Sequence, residues 1–129
     1  MQNKRVTAIL PCMGPGTSAG ARTSQLLRGV LDACLLAVIA EEPAYGYEMT
    51  ARLVERGLDV VSEGSIYPAV GRLERQGLVE SFRVDGNGGP PRKYYRPTRD
   101  GRQALAAWRA EWVETRDSVD SVLGTGEVE

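Results

Sequence analysis

Arg72 and Arg75 stand near the end of the stretch SEGSIYPAVGRLERQGLVES, residues 62–81, behind Tyr67, Pro68 and Gly71. A guanidinium is a planar fork of donors that matches either phosphate oxygens or the O6 and N7 edge of guanine. At 100° per residue Ile66, Val70 and Leu73 gather on one side of a helix, and Pro68, Gly71, Arg72 and Arg75 point away from it. A helix that meets only solvent fills its free face with Glu and Lys pairs; two arginines beside a tyrosine, a proline and a glycine describe a face shaped for a partner. Each residue has a plainer use as well. Arg72 can pair with Glu55 or Glu74, and Tyr67 can close the edge of a core. Pro68 lacks the amide that would bond back to Gly64, so an irregular first turn is expected.

A second cluster is Arg92 and Lys93, followed directly by Tyr94 and Tyr95. In a strand the side chains alternate, so Lys93 and Tyr95 face one way and Arg92, Tyr94 and Arg96 the other. One of these faces must pack on a core, and the other offers cations beside an aromatic ring. A third pair, Trp108 and Trp112, is spaced one helical turn apart. Its plain use is interface core, and an indole pair at a dimer seam can also clamp a flat aromatic molecule.

Other chemistries lack their residues. The chain has no histidine and two cysteines, Cys12 and Cys34, so no metal site can assemble from the usual zinc ligands. Cys34 lies among Leu31, Leu35 and Val38 and reads as a small buried hydrophobe. Without histidine a general base would have to be a perturbed carboxylate or lysine, and no paired carboxylates stand in a pocket-forming context. The expectation is a protein that is not an enzyme and carries no cofactor.

The elements that must position these residues follow from periodicity. The chain has 129 residues and a net charge of −1, which fits one small domain. Residues 1–24, rich in Gly, Pro, Ser and Thr, read as a flexible arm; Lys4 and Arg5 before VTAILPC are followed by too short an apolar run for a secretory leader. From Gln25 the run QLLRGVLDACLLAVIAEEP is apolar over most of its circumference and stops at Pro43, as a core helix would. YGYEMTARLVERG repeats a helical pattern with Tyr47, Ala51 and Val54 on one side and Gly57 as a C-terminal cap. Ser62 is expected to cap the next helix, which Gly77 ends. LVESFRV and RKYYR, separated by DGNGGPP, read as a β-hairpin. Thr98 caps a last helix in which Leu105, Trp108, Trp112, Thr115, Val119 and Val122 recur at alternating spacings of three and four, the seam of a coiled-coil contact. No other element matches that helix in length, which points to a second copy of the chain.

Three helices followed by a hairpin make a winged helix-turn-helix, in which the third helix enters the major groove of double-stranded DNA and the wing lies along the backbone. The fold class expected is therefore mainly α with a small β-hairpin. It divides into an arm (1–24), a DNA-binding domain (25–97), a dimerisation helix (98–123) and a tail (124–129). Charge distribution agrees with this. Residues 63–102 hold eight Arg and Lys against five acids, and residues 111–129 hold one Arg against six acids. No apolar run reaches the roughly 18 residues of a membrane span, so neither a membrane partner nor a location outside the cytoplasm is expected.

The ordered set YGYE, then S-x-Y-P with RLE-x-x-GL, then RKYYR-x-T-x-x-G resembles the PadR family of bacterial transcriptional regulators over residues 26–122. The single helix after the wing is similar to that of the short-tailed subfamily. The resemblance implies a homodimeric winged-helix repressor that dimerises through its first and last helices and releases DNA when a small molecule binds. By position, Tyr47 in YGYE, Ser65, Tyr67 and Pro68 in SIYP, Arg72 before LE, and Arg92 and Lys93 in RKYY fall on the family's DNA-facing positions. Arg75 joins them from the face argument. Leu105, Trp108, Trp112 and Val119 are the expected dimer and effector positions, with a planar aromatic molecule as the effector. Three features depart from the family pattern: Gly71 where Arg or Lys is common, Thr115 in the apolar seam, and the long glycine-rich arm. A winged helix that binds protein in place of DNA is the alternative reading, permitted by the mild net charge.

Overall fold

The computed structural model describes residues 19–59, 61–86 and 88–126. Within these, the elements are α1 (Ala19–Leu27), α2 (Leu31–Glu41), α3 (Gly46–Glu55), α4 (Glu63–Arg75), β1 (Val79–Val84), β2 (Arg92–Pro97) and α5 (Arg99–Leu123). The architecture is mainly helical with one two-stranded antiparallel sheet.

α2 is the hub. Leu35, Leu36, Val38 and Ile39 are buried on it, and α3, α4, α5 and β2 all pack against it. The core helix is shorter than its apolar run predicts. Residues 28–30 form a turn in which the Val30 amide donates to the Leu27 carbonyl at 2.9 Å, and α1 and α2 are separate helices. Gly29 sits in that turn, where it avoids the cost of about 1 kcal/mol that glycine imposes inside a helix. α1 starts at Ala19, inside the residues expected to form an unstructured arm; Leu27 at its end packs on the core and gives it an anchor. The rest of the expected arm, with Cys12, lies outside the described residues. Cys34 is half-buried against the core, and that burial raises its thiol pKa and so keeps it from ionising.

α3 and α4 end in the same way. At each, a glycine with positive φ, Gly57 at 100° and Gly77 at 76°, reverses the chain. The next amide, of Leu58 or Leu78, then donates back to the carbonyl of Leu53 or Leu73. Their starts differ from expectation. Ser62 holds the N-cap position of α4 without a capping bond, its hydroxyl lying 3.3 Å from that of Ser65. The expected stripe of Tyr47, Ala51 and Val54 on α3 is also not its packed face. Tyr47 and Val54 are exposed, while Gly46, Met49 and Leu53 are buried, because α3 meets α2 and α4 on that other side. Arg52, which no sequence pattern singles out, ties α3 to the end of α2. Its guanidinium donates to the carbonyls of Glu42 at 2.7 Å and of Val38 and Pro43 at 3.4 Å.

The hairpin pairs Val79 with Pro97 through to Val84 with Arg92. Ala44 adds an isolated bridge to β2 by exchanging both backbone bonds with Tyr95, which pins the wing to the link between α2 and α3. Thr98 then joins three segments. Its hydroxyl donates to the Gly77 carbonyl at 2.6 Å and accepts from the Gly101 amide at 3.0 Å, and its own amide donates to the Leu78 carbonyl at 3.0 Å. The end of α4 and the start of α5 are thereby held by one residue. The approach is so close that a Cβ on Gly101 would run into the Leu78 carbonyl oxygen. Gly101→Ala is therefore expected to lower stability by about 1 to 3 kcal/mol through overpacking, read as a fall in the urea midpoint with an unchanged slope.

Candidate nucleic-acid interface

α4 buries Ile66, Ala69, Val70 and Leu73. That choice turns Gly64, Pro68, Gly71 and Arg75 to the opposite side, with Tyr67 and Glu74 on one flank and Ser65 and Arg72 on the other. Tyr67 is 55% exposed and is not a core residue. Its ring lies over Gly46, where a Cβ would come within 2.5 Å of the phenol oxygen. Gly46 thus lets α3 and the tyrosine of α4 sit in contact, which explains the glycine of YGYE. Tyr47 beside it is 63% exposed. Gly71 has room for a side chain, its nearest neighbour being the Arg75 guanidinium. Pro68 is accommodated within a helix that runs unbroken from Glu63, so the irregularity expected of the first turn does not break α4.

Arg72 has a carboxylate partner that its sequence neighbours do not suggest. Neither Glu55 nor Glu74 is its partner. Its Nη2 and Nε donate to Oδ1 and Oδ2 of Asp32 at 2.8 and 3.1 Å, across forty residues of sequence, because α2 packs along that flank of α4. The pairing holds the guanidinium charge still more firmly than usual.

The wing divides as alternation predicts. Tyr95 is buried and Arg92, Lys93 and Arg96 are exposed. On one face the Tyr45, Tyr94 and Phe82 rings stand in a row, 5.3 and 5.8 Å apart, with Arg92 over Tyr45 and Arg96 over Phe82, each at 4.6 Å. Arg92 also donates to the Tyr45 hydroxyl at 3.2 Å, and Tyr47 stacks 6.5 Å from Tyr45. The start of α3 and the base of the wing are joined by this row. Arg96 is neutralised by Glu80 at 3.0 Å. On the other face Lys93 lies directly across from Arg83, and among the described residues neither has a carboxylate partner. Like charges placed opposite each other weaken a hairpin. Arg83 escapes sequence reasoning because only the register sets it against Lys93. Tyr45 escapes because its role is to hold Arg92.

The expected dimer residues separate into two groups. Leu105 is 4% exposed and belongs to the chain's own core, since the first turns of α5 pack on α2 and β2. This corrects its assignment to an interface. Trp108 is half-buried against the same core. From Trp112 onward, with Val119 and Val122, the seam is exposed.

Residues 35–107 match the family model described as the transcriptional regulator PadR-like family. An uncharacterised protein of Lysinibacillus sphaericus is 33% identical over 99 residues, covering 75% of this chain and 91% of that protein. The crystal structure of a PadR-like transcriptional regulator from Bacillus cereus is 39% identical with a TM-score of 0.70, covering 80% of this chain and 99% of that one. A PadR family transcriptional regulator from Eggerthella lenta is 37% identical with a TM-score of 0.72, covering 82% and 92%. The matched span runs from within α2 through the wing into the first turns of α5, and so includes the cations of α4 and of the wing. With its winged helix-turn-helix and these relatives, the chain belongs to the PadR-like family of transcriptional regulators.

Proposed function

We propose that the protein is a repressor that binds double-stranded DNA as a homodimer and is released by a small molecule. The observation that carries DNA binding is the Arg83 and Lys93 pair, two cations opposed across the wing where a polyanion makes the arrangement favourable. Arg83, Lys93 and Arg92 serve phosphates or the adjoining minor groove. Pro68, Tyr67 and Arg75, with Ser65, Arg72 and Tyr47 at the flanks, face the major groove. A two-fold dimer requires a pseudo-palindromic operator with half-sites about 34 Å apart. Such a repressor works where the chromosome lies, in the cytoplasm; no described helix is long and apolar enough to cross a membrane.

The dimer reading rests on α5. Its seam continues past the core as Trp112, Val119 and Val122, which are 47%, 48% and 85% exposed. A second copy, laying α5 against the first helix of its partner, would cover them. A two-fold axis near the middle of α5 brings the tryptophans towards their mates, and a planar aromatic molecule suits the slot between them. Thr98 gives such a ligand a route to DNA affinity, since it binds the start of α5 to the end of α4. A ligand that favours one spacing of the two α4 helices lowers affinity for DNA that needs another.

Three measurements test this. Lys93→Ala is expected to weaken binding to all duplexes alike and to flatten the salt dependence by about 0.9 per protomer in log–log slope; a changed sequence preference with an unchanged slope would give the wing a different role. Trp112→Asp places an unpaired charge in the seam, and sedimentation is expected to show a monomer where the unmodified chain is a dimer. Titration with planar aromatics is expected to quench tryptophan fluorescence in step with release of the operator.

A further inference from the structure

Asp32 lies in the first turn of α2, where the positive end of the helix dipole favours a carboxylate. Its two oxygens take the Nε and Nη2 edge of Arg72, at 3.1 and 2.8 Å. The Asp32 and Arg72 side chains are 27% and 45% exposed, so the pair opens to the surface along the Arg72 side. Building on the DNA-binding reading, we propose that Asp32 is a specificity-determining positioning residue. It clamps Arg72 so that the guanidinium reads a guanine in each half-site and does not bind phosphate.

Two physical points carry this. The first is geometry. Nε has a single hydrogen, and Asp32 takes it together with one hydrogen of Nη2, so the guanidinium plane is set by two bonds and cannot turn freely. The donors left are those of Nη1 and the second hydrogen of Nη2, an end-on fork that matches the O6 and N7 acceptors of guanine. The second is charge. Arg72 and Asp32 together are neutral, and a phosphate approaching the fork also meets the carboxylate behind it, whereas the uncharged edge of guanine meets no such repulsion. An unclamped arginine gains from any phosphate; a clamped one gains chiefly from a base. Arg75, the other cation of α4, has no carboxylate partner among the described residues, so the two arginines of the helix divide these tasks.

The experiment uses the full-length chain. The unmodified protein first selects its operator from a random duplex pool; Asp32→Asn and Arg72→Gln are then compared on that operator, on operators with each guanine replaced, and on random-sequence duplex. Asp32→Asn is expected to lose about tenfold or more of the preference for guanine at one position per half-site. It should also bind random duplex more tightly, with a salt slope steeper by about 0.9 per protomer from the added charge. Arg72→Gln should lose the same preference at the same position, with no further loss when the two changes are combined. Circular dichroism and urea unfolding confirm that both variants fold, and if Asp32→Asn does not, Asp32→Ser, which also removes the carboxylate, takes its place. An unchanged guanine preference in the folded variants overturns the role of Asp32. If the unmodified chain selects no sequence and binds no duplex, the DNA-binding reading falls and this inference with it.

Discussion

Everything in the molecule is arranged around burying α2. Leu35, Leu36, Val38 and Ile39 leave that helix almost no solvent-facing surface in its middle, so its neighbours must close around it from several directions. α3 and α4 cover two sides and the start of α5 and the wing strand β2 cover others. Because burial of apolar area is non-directional, it settles that these elements pack on α2 but not how each is rotated. Rotation is set by a few close or polar contacts. Tyr67 on Gly46 fixes α3 against α4, Arg52 on the carbonyls ending α2 fixes α3, and Thr98 with Gly101 fixes α5.

Those same contacts govern which surface the molecule offers. Once Ile66, Ala69, Val70 and Leu73 are committed to the core, Gly64, Pro68, Gly71 and Arg75 must face outward. Two glycines and a proline lower the helix propensity of a 13-residue helix, and the space beside Gly71 shows that packing does not demand it. The surface charge is likewise sorted by pairing. Glu80 neutralises Arg96 and Asp32 neutralises Arg72, while Arg83 and Lys93 oppose each other. A net charge near zero for the whole chain is therefore compatible with a locally cationic wing, since residues 111–129 hold six acids against one Arg.

α5 serves two structures. Its first turns, through Leu105 and part of Trp108, complete the core of the winged domain, and its later turns carry apolar residues that no other described element covers. The division falls where α5 runs past the elements that pack on it. A seam that is continuous in the sequence is thus divided between the core and the exposed surface, and its outer part is joined to the end of α4 through Thr98.

Local order was legible without coordinates: the helices that begin or end at Thr98, Gly57 and Gly77, the two strands around the glycine-rich tip, and the buried stripe of α4 all follow from side-chain period, cap chemistry and backbone freedom, which act within a few residues. The break at Gly29 was missed because a single glycine costs a helix only about 1 kcal/mol, an amount that packing can overrule in either direction. The family's motif positions were legible as residue types, since Arg, Tyr and Pro on a free face are visible in one dimension. Their partners were not. Asp32 for Arg72, Tyr45 for Arg92, Arg83 across from Lys93 and the core for Leu105 are pairings between segments far apart in sequence or set by strand register. Ion pairs, ring contacts and burial depend on distance in space, and only the packing of α2 against its neighbours brings those residues within reach.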